Sequence, residues 1–167
     1  RLIRRQRQMC IRDRNILQEF DTIAAIATPI GTGGVGVIRI SGDKSFEIID
    51  KIYSKKNLEA GRISHGWIVD GEKKIDEVLL LPFKNPHSYT GEDVIEIHCH
   101  GGINVIRNIL DVVLKNGARM AERGEFTKRA FMNKKMDLSQ AEAVADLIHA
   151  KTRDFAKHSA KNLSGAL

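Results

Sequence analysis

The chain has 167 residues, a formal net charge of +6 and 42% hydrophobic against 5% aromatic residues, a composition typical of an ordinary globular domain with its own core. No apolar run reaches the roughly 18 residues that a transmembrane helix requires, and no segment has the pattern of a targeting signal, so we expect a cytoplasmic protein without a membrane span. Only two cysteines occur, Cys10 and Cys99, which excludes a disulfide framework and suits a reducing compartment.

Residues 1–14 hold most of the net charge. They contain six arginines and one aspartate, which leaves about +1 for the rest of the chain. The segment has neither a helical nor a strand period, and it lacks the apolar stretch of a secretory signal. We interpret residues 1–14 as a non-native or disordered basic leader, followed by a domain that begins near Asn15. Because basic arms also bind nucleic acid, the alternative is an RNA-binding arm.

Two strands and a helix are predicted in the first part of the domain. Residues 21–29 form a short apolar run that ends at a proline, and residues 37–40 alternate as a second strand; a helix is expected near 43–53. The glycines of residues 31–36 match the dinucleotide-binding fingerprint, but a strand pattern follows them instead of a helix, which argues against that function. No phosphate-binding loop occurs, so this stretch is not predicted to hydrolyse GTP by itself.

Arg39 is unusual because it lies in the middle of an apolar strand. If its face of the sheet is partly buried, the guanidinium requires a carboxylate or an anionic ligand as its partner. An outward-facing arginine on an exposed sheet face fits the pattern equally well.

The middle of the chain predicts a hairpin, a strand, a helix and a short edge strand. Residues 64–83 alternate on both sides of an Asp70-Gly71 turn, residues 92–99 form the next strand, and residues 103–118 form an amphipathic helix that stops at Gly117. A short edge strand is expected near residues 119–121. The elements together predict an α/β (α+β) fold, a mixed β-sheet with packed helices.

The strand at residues 92–99 separates its side chains by face. Ile95, Ile97 and Cys99 point one way, so Cys99 lies among core aliphatics, and burial makes it a poor nucleophile. The opposite face carries the polar residues Glu96, His98 and His100. Those three residues allow a zinc-dependent hydrolase as one interpretation, and a polar ligand-binding face of the sheet as the other.

The last part of the chain is helical by pattern. Residues 124–135 form a short basic segment that includes Lys128, Arg129, Lys134 and Lys135, either a solvated basic helix or one with a ligand-facing lysine. A longer helix opens with a capping box of Ser139 and Glu142 and continues toward Asn162. Such a helix would be about 36 Å long, more than this domain needs for packing. We therefore expect residues 138–167 to be the start of a truncated helical domain.

Three segments, residues 21–42, 85–102 and 124–148, resemble the N-terminal domain of the tRNA modification GTPase family MnmE, also called TrmE. The resemblance covers Asp21 to about Ala166. It implies that residues 15–137 form a folate-binding and dimerisation domain related to the folate-binding domains of one-carbon enzymes. The ligand implied is a reduced folate, 5-formyl- or 5,10-methylene-tetrahydrofolate, bound near the interface of a homodimer.

The resemblance also implies an activity for the whole protein. With a flavin-dependent partner of the MnmG (GidA) type, proteins of this family add a carboxymethylaminomethyl or aminomethyl-type group to C5 of the tRNA wobble uridine. GTP, K⁺ and Mg²⁺ belong to a downstream G domain, so no catalytic residue is expected in this stretch.

Carried over by motif, the folate contacts fall on Arg39, Glu96 and Lys135. The chain departs from the family at Arg123, where a proline is usual before Gly-Glu-Phe. Loss of that proline leaves the backbone before the following helix, and with it Lys135, less fixed.

Overall fold

The computed structural model describes residues 21–29, 31, 33–149 and 163. The basic leader of residues 1–14, with its possible role in RNA binding, lies outside the described residues. So does about half of the long helix predicted to continue toward Asn162, residues 150–162. In the described part of the chain, a six-stranded mixed sheet is packed with helices, and the predicted α/β fold class is confirmed.

The sheet has the strand order β3-β4-β5-β2-β1-β6. All neighbouring strands are antiparallel except β1 and β6, which are parallel. The longest strands are therefore central or next to the centre, and the short β1 and β6 complete one side. The strands are β1 (Ile23–Ile26), β2 (Val35–Ser41), β3 (Ser64–Asp70), β4 (Lys73–Phe83), β5 (Val94–His100) and β6 (Arg119–Met120).

Two of the four described helices form the hydrophobic core with one face of the sheet. The helices are α1 (Ser45–Ile52), α2 (Ile103–Lys115), α3 (Glu125–Met132) and α4 (Leu138–His149). Both α1 and α2 are amphipathic, and their apolar sides pack with the inward side chains of β2 and β5. The fully buried aliphatics of this core include Ile38, Ile40, Ile49, Ile95, Ile97 and Ile109. None of the helices in the described residues is both long and apolar enough to span a membrane.

The glycine-rich run before β2 lies against the turn after β5. The Gly101 N–H donates a hydrogen bond to the Gly34 carbonyl at 3.3 Å. A Cβ on Gly101 would stand 1.9 Å from the Gly33 carbonyl oxygen, so only glycine fits there. The close backbone approach that these glycines permit is therefore made by another part of the same chain. Since α1 begins only at Ser45, after β2, a dinucleotide-binding geometry is absent from this run of described residues.

The start of α4 corrects one sequence prediction. The capping box is formed by Asp137 and Gln140, and not by Ser139 and Glu142. The Asp137 carboxylate accepts the Gln140 backbone N–H at 2.8 Å, and the Gln140 side-chain oxygen accepts the Asp137 N–H at 3.0 Å. Because α4 begins at Leu138, Ser139 already lies in the first helical turn and is too late to be the cap.

Substitution of Gly101 by alanine tests the close packing of the two glycine segments. We expect Gly101→Ala to lower the free energy of unfolding by about 1–3 kcal/mol, because backbone atoms would have to move to admit the methyl group. Gly102→Ala is the matched control. Its Cβ would meet Val105 at an ordinary 3.8 Å, so we expect an effect within about 1 kcal/mol. Urea denaturation of both variants measures the difference, and equal losses would contradict the packing argument.

Candidate functional site

An ion pair between Arg39 and Glu96 lies on the sheet face opposite the hydrophobic core. The two residues are directly opposite each other in the antiparallel register of β2 and β5. Arg39 donates to Glu96 Oε1 from Nη2 at 2.7 Å and from Nε at 2.9 Å. The exposed fractions of the two side chains are 25% and 18%. Of the two interpretations of Arg39, the partly buried arginine with a carboxylate partner is therefore the observed one.

Two aromatic rings contact the Arg39 guanidinium. Its central carbon lies 5.1 Å from the centroid of the Tyr89 ring and 5.6 Å from that of Phe126. The Tyr89 hydroxyl is 3.0 Å from Thr127 Oγ1, which joins the loop between β4 and β5 to α3. Cation–π contacts at these distances favour a fixed guanidinium, so the aromatic side chains help to hold Arg39 against Glu96.

Glu96 is held in its ionised form. Burial raises the pKa of its carboxyl, but hydrogen bonds and charges from Arg39 and His98 outweigh burial, and the net pKa lies below the ordinary value. His98 Nε2 lies 3.2 Å from Oε2, while both Arg39 contacts go to Oε1. Since a carboxylate offers about four acceptor positions, Glu96 retains capacity to accept hydrogen bonds from a ligand.

Glu96 and Lys135 line the same cavity. Its volume is about 340 Å³, and it opens to solvent. That volume lies at the lower end of the range of small-molecule sites, which run from about 300 to 1,000 Å³. The remaining lining residues come from the end of β4, the start of β5 and the loop between them: Phe83, His87, Ser88, Tyr89 and Val94. Arg39 does not line this cavity. It contacts Glu96, which does.

Lys135 is brought to the cavity by the turn after α3. Its Nζ donates to the Pro86 carbonyl at 3.1 Å, and the neighbouring Asn133 amide donates to the Thr90 carbonyl at 2.8 Å. The turn itself requires a left-handed backbone at Lys134, with φ of 57°. The turn and the loop between β4 and β5 therefore form one wall of the cavity together.

The start of α3 is defined although Arg123 stands where the resemblance implies a proline. Gly124 takes a left-handed φ of 75° and precedes the first helical residue, Glu125. The Glu125 carboxylate accepts the Glu122 backbone N–H at 2.7 Å and pairs with Arg119 at 2.7 Å. Arg123 itself lines a separate cavity of about 320 Å³ beside α3. Side-chain hydrogen bonds thus fix the helix start without proline.

The metal-site interpretation finds no support. His98 contacts Glu96, but His100 Nδ1 pairs with Asp76 Oδ1 at 2.8 Å. No group of three potential metal-ligating side chains is present among the residues that the structure describes. The physical reason is strand geometry, since Glu96 and His100 are four residues apart and an extended strand separates such residues by about 13 Å.

Cys99 has the properties of a core residue. It is 4% exposed, and its Sγ lies 3.4 Å from the Gly36 carbonyl oxygen. Burial raises the pKa of the Cys99 thiol to about 11. The thiol therefore stays protonated at neutral pH and is a poor nucleophile, as the strand pattern predicts.

Sequence reasoning missed the buried charges that join α3 to the loop between β4 and β5. Arg129, expected on a basic helix that is either solvated or ligand-facing, is 4% exposed and pairs with Glu92 at 3.2 Å. The spacing of Glu125 and Arg129 at i,i+4 is the one local signal of an ion pair. No pattern links Arg129 to Glu92, because the two residues are 37 positions apart.

These features first define a class: an α/β domain with a charged, solvent-open cavity of ligand size on the sheet face opposite its core. The sequence profile described as "GTP-binding protein TrmE N-terminus" matches residues 22–135. The chain therefore belongs to the TrmE N-terminal domain family, and the resemblance deduced from its motifs is confirmed.

Curated proteins that are similar to the chain are described as tRNA modification GTPase MnmE. The protein of Caldicellulosiruptor saccharolyticus is 55% identical over 155 residues, which cover 89% of this chain and 34% of the relative. That of Acetivibrio thermocellus is 54% identical over 153 residues, covering 88% and 33%. That of Thermotoga maritima is 50% identical over 149 residues, covering 89% and 33%. The chain thus spans about a third of the length of these relatives.

The lowered pKa of Glu96 predicts a pH dependence of stability. A carboxyl whose folded pKa lies below its unfolded value stabilises the fold above that value and loses this contribution as pH falls through the folded pKa. The ordinary value is 4.5. Below it, we expect the unfolding free energy of the wild type to fall more steeply than that of Glu96→Gln. Urea denaturation between about pH 3 and pH 7 measures both, and parallel curves would contradict the assignment.

Proposed function

We propose that this chain is the reduced-folate-binding and dimerisation module of a tRNA modification GTPase, with Arg39, Glu96 and Lys135 as its folate-binding residues. The observation that carries the proposal is an ionised, half-buried Glu96 that lines a ligand-sized cavity together with Lys135. The ligand proposed is 5-formyl- or 5,10-methylene-tetrahydrofolate. Membership of the TrmE N-terminal family supports the assignment independently of the cavity.

The chemistry of the cavity suits the two ends of a folate. The pterin ring presents neighbouring N–H donors, and an ionised carboxylate such as Glu96 accepts two of them as charge-assisted hydrogen bonds. Lys135 supplies a cation for a pterin carbonyl or for the carboxylates of the glutamate tail. Arg39 keeps Glu96 ionised and oriented from the adjacent strand. Tyr89 and Phe83 provide flat and apolar surface beside these groups.

The activity of the whole protein is the second part of the proposal. We infer a cytoplasmic homodimer that works with a flavin-dependent partner of the MnmG (GidA) type on the C5 position of the tRNA wobble uridine. GTP, K⁺ and Mg²⁺ would bind in a G domain outside this stretch, which by itself is not catalytic. Residues 15–137 would form the folate and dimer module, and residues 138–167 the start of a helical domain. The description of the similar proteins as tRNA modification GTPases supports this role.

Calorimetric titration of 5-formyltetrahydrofolate into the chain tests the folate site. We expect saturable binding near one ligand per chain, and about a tenfold to hundredfold weaker affinity in Glu96→Gln. The reason is that a hydrogen bond to a charged group contributes about 1.5–3 kcal/mol, and each 1.4 kcal/mol is about a factor of ten in affinity.

Glu77→Gln is the matched control for this titration. Glu77 lies on β4 with a side chain that is 44% exposed, pairs with His65 at 3.0 Å and does not line the cavity. We expect its affinity to equal that of the wild type. Absence of binding to the folded wild-type chain, or equal weakening in both variants, would refute the folate site proposed here.

A further inference from the structure

The buried guanidinium of Arg129 links α3 to the loop that forms the cavity wall. Arg129 Nη1 lies 3.2 Å from both carboxylate oxygens of Glu92, and Nη2 lies 3.2 Å from Glu125 Oε1. Only 4% of Arg129 is exposed. A buried cation is costly unless it is paired, so movement of α3 away from Glu92 would cost Arg129 one of its carboxylate partners and leave the Glu125 contact within α3.

Glu92 extends the link to the end of β2. Its Oε2 accepts a hydrogen bond from Ser41 Oγ at 2.6 Å, and Ser41 Oγ lies 2.7 Å from Thr90 Oγ1. Both Ser41 and Thr90 are fully buried. Ser41 follows Arg39 by two residues on the same strand, and Thr90 follows Tyr89. The Glu92 carboxylate is therefore bound to the same pieces of chain that present Arg39 and Tyr89.

The turn that carries Lys135 follows directly from α3. The Lys135 N–H donates to the carbonyl of Ala130, inside α3, at 2.9 Å. Gly91 allows the turn to approach the loop, since a Cβ there would stand 3.0 Å from Asn133 Cβ and 3.1 Å from Lys135 Cγ. Because Lys135 is tied to α3 on one side and lies against the loop on the other, its position depends on how α3 docks.

We propose that Glu92 and Arg129 are positioning residues of the ligand site, whose partly buried ion pair docks α3 on the loop of residues 84–93 and thereby places Lys135 at the cavity that Glu96 lines. The inference rests on the proposed folate function for the identity of the ligand. Its structural part states only that the ion pair places Lys135. Neither Glu92 nor Arg129 lines that cavity, so both act through Lys135 and the loop.

A purely stabilising role is the competing explanation, and a double substitution separates the two. Removal of Glu92 alone takes one carboxylate partner from the buried Arg129, which is costly, whereas replacement of both partners by apolar residues of similar size is often close to neutral for stability. The variant is Glu92→Met with Arg129→Met. If the pair only stabilises the fold, the double variant recovers ligand affinity together with stability. If the pair positions Lys135, affinity stays reduced in a stable protein.

The experiment uses the full chain with thermal unfolding, calorimetric titration of 5-formyltetrahydrofolate and a crystal structure of the double variant. We expect the affinity to fall at least about tenfold through loss of the Lys135 contact, and Lys135 Nζ to leave the Pro86 carbonyl. Arg129→Lys keeps the buried cation but not the paired contacts, so it is a second variant, expected to fold and to bind with intermediate affinity. Lys84→Met is the control, since Lys84 pairs with Asp93 in the same loop but lies outside the cavity.

Two results would overturn the inference: wild-type affinity in the stable double variant, or a Lys135 that remains hydrogen-bonded to Pro86 in its structure. Failure of the proposed function gives a different result, because the wild-type chain itself would then bind no folate. In that case the crystal structure still decides the inference. A displaced Lys135 supports the positioning role, and an unmoved Lys135 refutes it.

Discussion

The pairing of Arg39 with Glu96 across β2 and β5 is the interaction on which the polar face of the sheet depends. Two ionised side chains that are only 25% and 18% exposed must satisfy each other, because an unpaired charge at such a position is expensive. The pair exists only in the observed register of β2 and β5. A shift of one strand by one residue would place Arg39 and Glu96 on opposite faces and turn one of the two charges toward the isoleucines of the core, so the ion pair and the core select the same register.

The two faces of the sheet therefore differ: one packs in the hydrophobic core, and the other carries the charged residues beside the cavity. One face is covered by α1 and α2 and contains the aliphatic core, including Cys99. The other face is covered by the loop between β4 and β5 and by α3, with an open cavity between that loop, β5 and the turn after α3. Strands β2 and β5 contribute side chains to both faces. Because packing in the core fixes these strands, it also fixes the charged residues beside the cavity. Side chains that are already fixed in this way lose little conformational entropy when a ligand binds.

The chain in which the two sheet faces differ in this way belongs to the TrmE N-terminal family. The similar proteins are about three times as long as the matched region. On the polar face, His100 pairs with Asp76 and is separated from Glu96, and Cys99 lies on the other face, in the core. The ionised Glu96 and Lys135 line the cavity on this face, a combination of charges that suits a polar, partly anionic ligand.

The sequence by itself determined the period-two division of β5, which put Ile95, Ile97 and Cys99 in the core and Glu96 and His98 on the polar face. The same kind of local period predicted the hairpin and α2, while the family resemblance marked Arg39, Glu96 and Lys135 as ligand residues. The sequence pattern predicted the wrong cap for α4, because Asp137 and Ser139 are both plausible caps until the first helical residue is known. Only the tertiary structure decided that Arg39 pairs with Glu96, that Arg129 is buried against Glu92, and that Lys135 reaches the cavity. Local patterns extend over a few residues, whereas these contacts join residues 37 to 57 positions apart and depend on strand register and helix docking.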